Sequence, residues 1–126
     1  MKAKSTKFRF LYLLVLNFFL SGCSKDGLWI RVENDSNLMF HQVRVSPDVS
    51  ETMFGDLNSG EISIYKPFKI AYRYAQIKVI IEGEEFLLQP IDYVGETPLE
   101  EGNYTYIIGV ADLNSLYGLT LDLRKD

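Results

Sequence analysis

The chain holds a single thiol, Cys23, and a single imidazole, His41. A lone cysteine has no partner for an internal disulfide, so its chemistry reduces to nucleophile, metal ligand or acyl acceptor. Zinc takes about three or four His, Cys or carboxylate ligands, and one cysteine with one histidine falls short of that set. Serines are plentiful, which leaves a Ser-His-Asp arrangement formally open, yet none sits in a Gly-x-Ser-x-Gly elbow. His41 shares the alternation of Val43 and Val45, which places it toward the core edge as a structural histidine. Four carboxylates, Asp92, Glu96, Glu100 and Glu101, gather in one stretch. Calcium binds through several carboxylates, but no Asp-x-Asp-x-Asp-Gly spacing is present, so a solvated acidic loop is expected. A glycosidase pair would need a cleft that a sandwich of about 100 residues rarely builds. The expectation is no catalytic residue, no metal and no cofactor.

One cluster has the makings of a contact surface. Tyr65, Phe68, Tyr72 and Tyr74 lie close together in sequence, with Arg73 among them. Tyrosine and arginine are enriched where proteins meet partners, because they combine area with polar ends. They also stack on sugars. Packing between neighbouring strands explains many such clusters equally well. These five residues are the candidate partner-binding set, and Trp29, outward by alternation, is a fifth aromatic of the same kind.

The leader decides where such a surface would act. Lys2, Lys4, Lys7 and Arg9 precede any acid, and Phe10 to Leu20 is apolar but for Asn17. A basic n-region followed by a short apolar run is the pattern of a secretory signal peptide. Eleven residues rise only about 16 Å as a helix, half of what a bilayer core requires. The run closes on Leu20-Ser21-Gly22-Cys23, which resembles the bacterial lipobox. That resemblance implies diacylglyceryl transfer to the Cys23 thiol and cleavage after Gly22. It divides the chain into a signal peptide (1–22), a lipidated cysteine with a short tether (23–27) and a domain (28–126). The implied partner is a membrane, reached through the acyl chains, and the implied location is the bacterial cell envelope at the outer membrane.

The charge agrees with an anchor that is lipid rather than electrostatic. The leader takes four of the 13 basic residues, leaving nine against all 17 acids, a net charge of about −8. Such a surface disfavours nucleic acid and anionic lipid.

From Leu28 onward the apolar residues recur at period two, as in half-buried strands. Leu28, Ile30 and Val32 begin the series, and Asn34-Asp35-Ser36-Asn37 turns the chain. A second strand runs from Met39 to Ser46. Residues 47–60 are irregular, Glu61 to Tyr65 forms a short strand, and Pro67 ends it. Ile77, Val79 and Ile81 mark the clearest strand, followed by a tight turn at Glu82-Gly83-Glu84-Glu85 with Gly83 at positive φ. Phe86 to Gln89 returns. A loop spans 91–103, after which Tyr104, Tyr106, Ile108 and Val110 face one way, as do Leu119, Leu121 and Leu123. About seven strands and no helix predict an all-β antiparallel sandwich.

Leu99-Glu100-Glu101-Gly102-Asn103-Tyr104 resembles the corner of immunoglobulin-like and transthyretin-like modules. The resemblance implies that Leu99, Gly102 and Tyr104 form a structural corner, with the tyrosine hydroxyl bonded to nearby backbone. Phe54-Gly55-Asp56-Leu57, Ala71-Tyr72-Arg73-Tyr74-Ala75 and Leu88 to Glu96 are similar to stretches of small lipoproteins from Bacteroidota-type bacteria. That likeness implies envelope location and fold, and brings no substrate. The expected role is a non-enzymatic interaction or accessory module. The alternative is a small-ligand binder, for carbohydrate or a cation.

Overall fold

Alternating apolar residues need a second apolar layer to cover them, and the chain supplies it from two sheets. A computed structural model describes residues 26–90 and 96–126. Cys23 with its leader, and Asp92, lie outside the described residues. Eight strands follow in order: β1 (Leu28–Asn34), β2 (Phe40–Ser46), β3 (Thr52–Leu57), β4 (Lys66–Phe68), β5 (Gln76–Ile81), β6 (Glu84–Leu88), β7 (Gly102–Val110) and β8 (Leu119–Lys125). One sheet has the order β4-β1-β7-β8 and the other β3-β2-β5-β6. Together they make an all-β sandwich.

The facing sides carry the core. Leu28, Ile30, Val32, Tyr106 and Ile108 of the first sheet meet Phe40, Val43, Val45, Ile77, Val79, Ile81 and Phe86 of the second, all buried. Each fully buried aliphatic or aromatic side chain contributes roughly 1.5–3 kcal/mol, which is how the packing holds the fold without a disulfide.

Three details depart from the antiparallel, seven-strand expectation. First, β1 and β7 pair in parallel, from Leu28 opposite Gly102 to Asn34 opposite Ile108. Both strands therefore point away from the end that carries Gly27 and the 99–102 corner. The opposite end carries the turns at 35–39, 58–60 and 82–83 and the loop at 111–118. Second, residues 52–57 form a strand inside the stretch read as irregular. Gly55, at φ 85°, and a register shift opposite Val43 break the alternation that would have revealed it. Third, the strand placed at Glu61–Tyr65 is split. Glu61 and Ser63 bond to β1 through Asn34 N–H and Val32 C=O, and an isolated bridge joins Ile62 to Glu33. The chain then steps out at Ile64 and Tyr65 and rejoins as β4, with Pro67 inside it. Proline is tolerated there because β4 is an edge strand with β1 as its partner.

The β5–β6 turn is shorter than Glu82 to Glu85. Glu82 and Gly83 alone form it, both at positive φ, 51° and 82°, and Glu84 already pairs with Ile81. Two left-handed residues match the twist of the flanking strands.

Candidate functional site

His41 is moved by a bulge. Gln42 adopts φ 49°, and the ladder shifts register between His41 and Arg44 on the β5 side. One extra residue reverses the alternation, so Phe40 takes the core position and His41 turns to solvent. Its Nδ1 lies 3.4 Å from Asp56 Oδ2. Asp56 also accepts the Gln42 N–H at 3.0 Å, and these contacts, the backbone bond first, hold its carboxyl below the usual aspartate value. This resembles the orienting half of a triad, but no serine hydroxyl bonds His41 among the described residues. The pair closes the bulge.

The candidate contact set divides into three surroundings. Tyr65 lies on the outer face of the first sheet, where its hydroxyl donates to Asp126 Oδ2 at 2.6 Å and Arg31 stacks 4.7 Å from its ring centre. Phe68 packs against the core and stacks on Phe54 at 6.2 Å, with the Lys66 ammonium over the Phe54 ring. Tyr72 offers its carbonyl to the buried Tyr106 hydroxyl. Arg73 and Tyr74 are exposed, and Ala71 and Ala75 on either side of them are buried. The segment is therefore a strap whose alanines fill the core while its middle faces water.

At the 99–102 corner, the Tyr104 hydroxyl donates to the Glu100 carbonyl at 2.9 Å, and Leu99 N–H donates to Ala71 C=O. Gly102 sits at φ 149° and bonds to Gly27 C=O. The corner thus ties the end of the long loop both to the strap and to the start of β1. Glu96, Glu100 and Glu101 of the acidic stretch belong to no metal-ligating group among the described residues.

The densest chemistry lies on the outer face of the first sheet, where Tyr65 of the candidate set meets residues far from it in sequence. Thr105 points outward from β7, as alternation requires, yet it is fully buried. Four side chains roof it. Arg31 Nε donates to its Oγ1 at 3.0 Å, and that hydroxyl donates onward to Asp126 Oδ2 at 2.7 Å. Arg124 Nε donates to Asp126 Oδ1 at 3.1 Å and its Nη2 lies 3.5 Å from Glu33 Oε1. Tyr65 completes the roof. Burial pushes the Asp126 carboxyl up, but donors from Tyr65, Thr105 and Arg124, with the charge of Arg31, outweigh it and hold the group below its ordinary value. Burial and the bond to Asp126 push the Tyr65 hydroxyl up, so it stays a donor. Two guanidiniums face two carboxylates, and the cluster spends its charge on itself. Alternation already puts Arg31, Thr105 and Arg124 outward; only the strand order puts them side by side.

At the pole remote from Gly27, Asn34 is fully buried. It donates to the carbonyls of Leu38 and Leu57 at 2.7 and 3.0 Å, and accepts from Ser36 N–H and Oγ. It ties the 35–39 turn and the end of β3 to β1. A shallow cleft of about 630 Å³ opens beside it, bounded by the 35–38 turn, Ser59 and residues 110–113.

No family model matches this chain, and no curated protein does. Among solved structures it is similar to an NMR structure of a protein from Eubacterium rectale, with a TM-score of 0.50 and 17% identity. The match covers 80% of this chain and 89% of that one. At such identity the likeness concerns the sandwich fold alone.

Proposed function

We propose that this chain is a lipid-anchored protein of the bacterial envelope whose sandwich serves as a non-enzymatic interaction or accessory module. The observation that carries the reading is Leu20-Ser21-Gly22-Cys23 behind a basic and apolar leader, with Cys23 the only cysteine. The short distance from Cys23 to Leu28, where β1 begins, supports a domain held close to a membrane. Two or three acyl chains anchor stably where one binds marginally. The ionic groups around Asp126 are engaged with one another, which gives that cluster a structural role in the sandwich. Metabolic labelling with a palmitate analogue, followed by mass spectrometry of the mature N-terminus, tests the anchor. The wild-type chain carries acyl groups on Cys23 and pellets with membranes. Cys23→Ser loses both label and membrane association. An unmodified Cys23 in the membrane fraction overturns the proposal.

A further inference from the structure

The loop between β7 and β8 holds large apolar side chains out in water on a tightly bonded frame. Leu113, Leu116 and Tyr117 are 45%, 50% and 72% exposed. The loop beneath them is not slack. Ala111 N–H donates to Gly118 C=O at 2.8 Å, Gly118 N–H to Ser115 C=O at 3.0 Å, and Asn114 N–H to Asp112 Oδ1 at 2.9 Å. Ser115 Oγ accepts from Tyr117 N–H, and the Leu116 carbonyl accepts from Leu87 N–H on β6 at 2.9 Å. A Cβ on Gly118 would run into the Asp112 carbonyl, so the turn closes only around glycine. The three side chains are thus fixed in an exposed arrangement rather than left out by disorder. A rigid apolar presentation lowers the entropy cost of meeting a partner.

The surroundings say what kind of partner. Leu113 stands between two shallow clefts, the one beside Asn34 and a second of about 510 Å³ shared with Leu116. Asp35 and Asp112 line the first, Glu84 and Glu85 the second, and no lysine, arginine or histidine lines either. Glu85 is paired with Arg44 at 3.2 Å. Asp35, Glu84 and Asp112 have no cationic partner among the described residues. An anionic ring around apolar side chains repels acidic lipid and acidic protein, and fits a surface of opposite charge. Tyr117 adds the amphipathic ring common at interface centres. The pole is also the one remote from Gly27, open to approach when the other end is tethered.

We propose that the 111–118 loop, with the two acidic clefts flanking Leu113, is a docking surface for a partner protein that presents an apolar anchor bordered by lysine or arginine. The inference rests on the reading of the domain as an interaction module and names the chemistry of its partner.

The test is an NMR titration of the chain as isolated from cells, held in phosphatidylcholine nanodiscs, with a short peptide of alternating lysine and leucine. Expected are amide shifts confined to 111–118, 35–38 and 84–87, weakening as salt rises from about 50 to 500 mM. Leu116→Ser with Tyr117→Ser weakens binding at least about tenfold while amides elsewhere keep their positions. A glutamate-leucine peptide leaves the spectrum unchanged. The proposal is overturned by equal binding of the two peptides or of the double variant. Binding of phosphatidylglycerol vesicles through this loop also overturns it, since the partner would then be a lipid surface. Shifts appearing instead around Arg73 and Tyr74 would remove the docking site from this pole yet leave the interaction-module reading standing.

Discussion

The Thr105 hydroxyl lies 2.7 Å from Asp126 Oδ2 and 3.0 Å from Arg31 Nε, so one buried oxygen links β1, β7 and the residue after β8. The link explains how a sheet whose outer face reads as polar comes to have a layered exterior. Arg31, Tyr65 and Arg124 lie across Thr105 as a second storey, and Asp126 is the point where they meet.

Asp126→Asn is expected to lower stability by about 1–2 kcal/mol at neutral pH, because the charge-assisted bond from Arg124 and the ion pair with Arg31 are weakened. The pH dependence follows from the lowered carboxyl value. A carboxylate with a depressed folded-state pKa contributes its stabilisation above its unfolded value of about 3.9. That contribution is lost as pH falls through the folded value. Urea unfolding of both proteins between about pH 2 and 7 checks this, and the gap between them narrows on the acid side. A constant gap across that range would show that Asp126 acts through shape, not charge.

Asn34→Ala removes the fully buried amide that donates to the Leu38 and Leu57 carbonyls and accepts from Ser36 N–H, and of these the Leu38 carbonyl keeps its contact with Ser36 Oγ. An orphaned buried polar group costs about 1–3 kcal/mol. A loss of roughly 3 kcal/mol in unfolding free energy is expected, with faster hydrogen exchange at residues 35–39. Asn34→Asp fares no better, since a carboxylate cannot donate to the two carbonyls.

Tyr104→Phe removes the bond to the Glu100 carbonyl and keeps the ring. The expected loss is about 1 kcal/mol, a fall in Tm of about 4–8 °C for a domain of this size. The melting curve should shift without a change in denaturant slope.

Glu82→Asn is expected to stabilise. Glu82 holds φ 51° in a two-residue turn beside Gly83, and asparagine tolerates that conformation better than glutamate. A gain of about 0.5–1 kcal/mol is expected in chemical denaturation. No gain would mean that the glutamate side chain relieves the strain locally.

How much of this was legible beforehand depends on whether a feature is local. Leu28-Ile30-Val32 and Ile77-Val79-Ile81 show their inward faces in the bare sequence because nothing interrupts the alternation. The Glu82-Gly83 turn has its signal in a glycine between two apolar runs. β3 was hidden because Gly55 and the register shift beside it break the period. Alternation points His41 toward the core because a bulge leaves no mark in composition; one residue at positive φ, Gln42, turns it to solvent. β4 was hidden by Pro67, which speaks against a strand unless the strand is known to lie at an edge. The roof over Thr105 was illegible for a different reason. Its members, Arg31, Tyr65, Thr105, Arg124 and Asp126, are ordinary strand residues far apart in the chain. They become a cluster once β1 is known to lie between β4 and β7.

That placement of β1 also sets the order in which the sandwich can be finished. Arg31 and Thr105 stand 74 residues apart along the chain, yet they are direct neighbours in the parallel ladder. A chain emerging from its N-terminus makes β1 first and must wait for β7 before β1 gains its longer partner. Non-local pairing of this kind slows folding, because loop closure is costly before the contacts form. The first sheet therefore stays open until nearly the whole domain has been produced, since β1 has only β4 and the 61–63 segment beside it until β7 arrives.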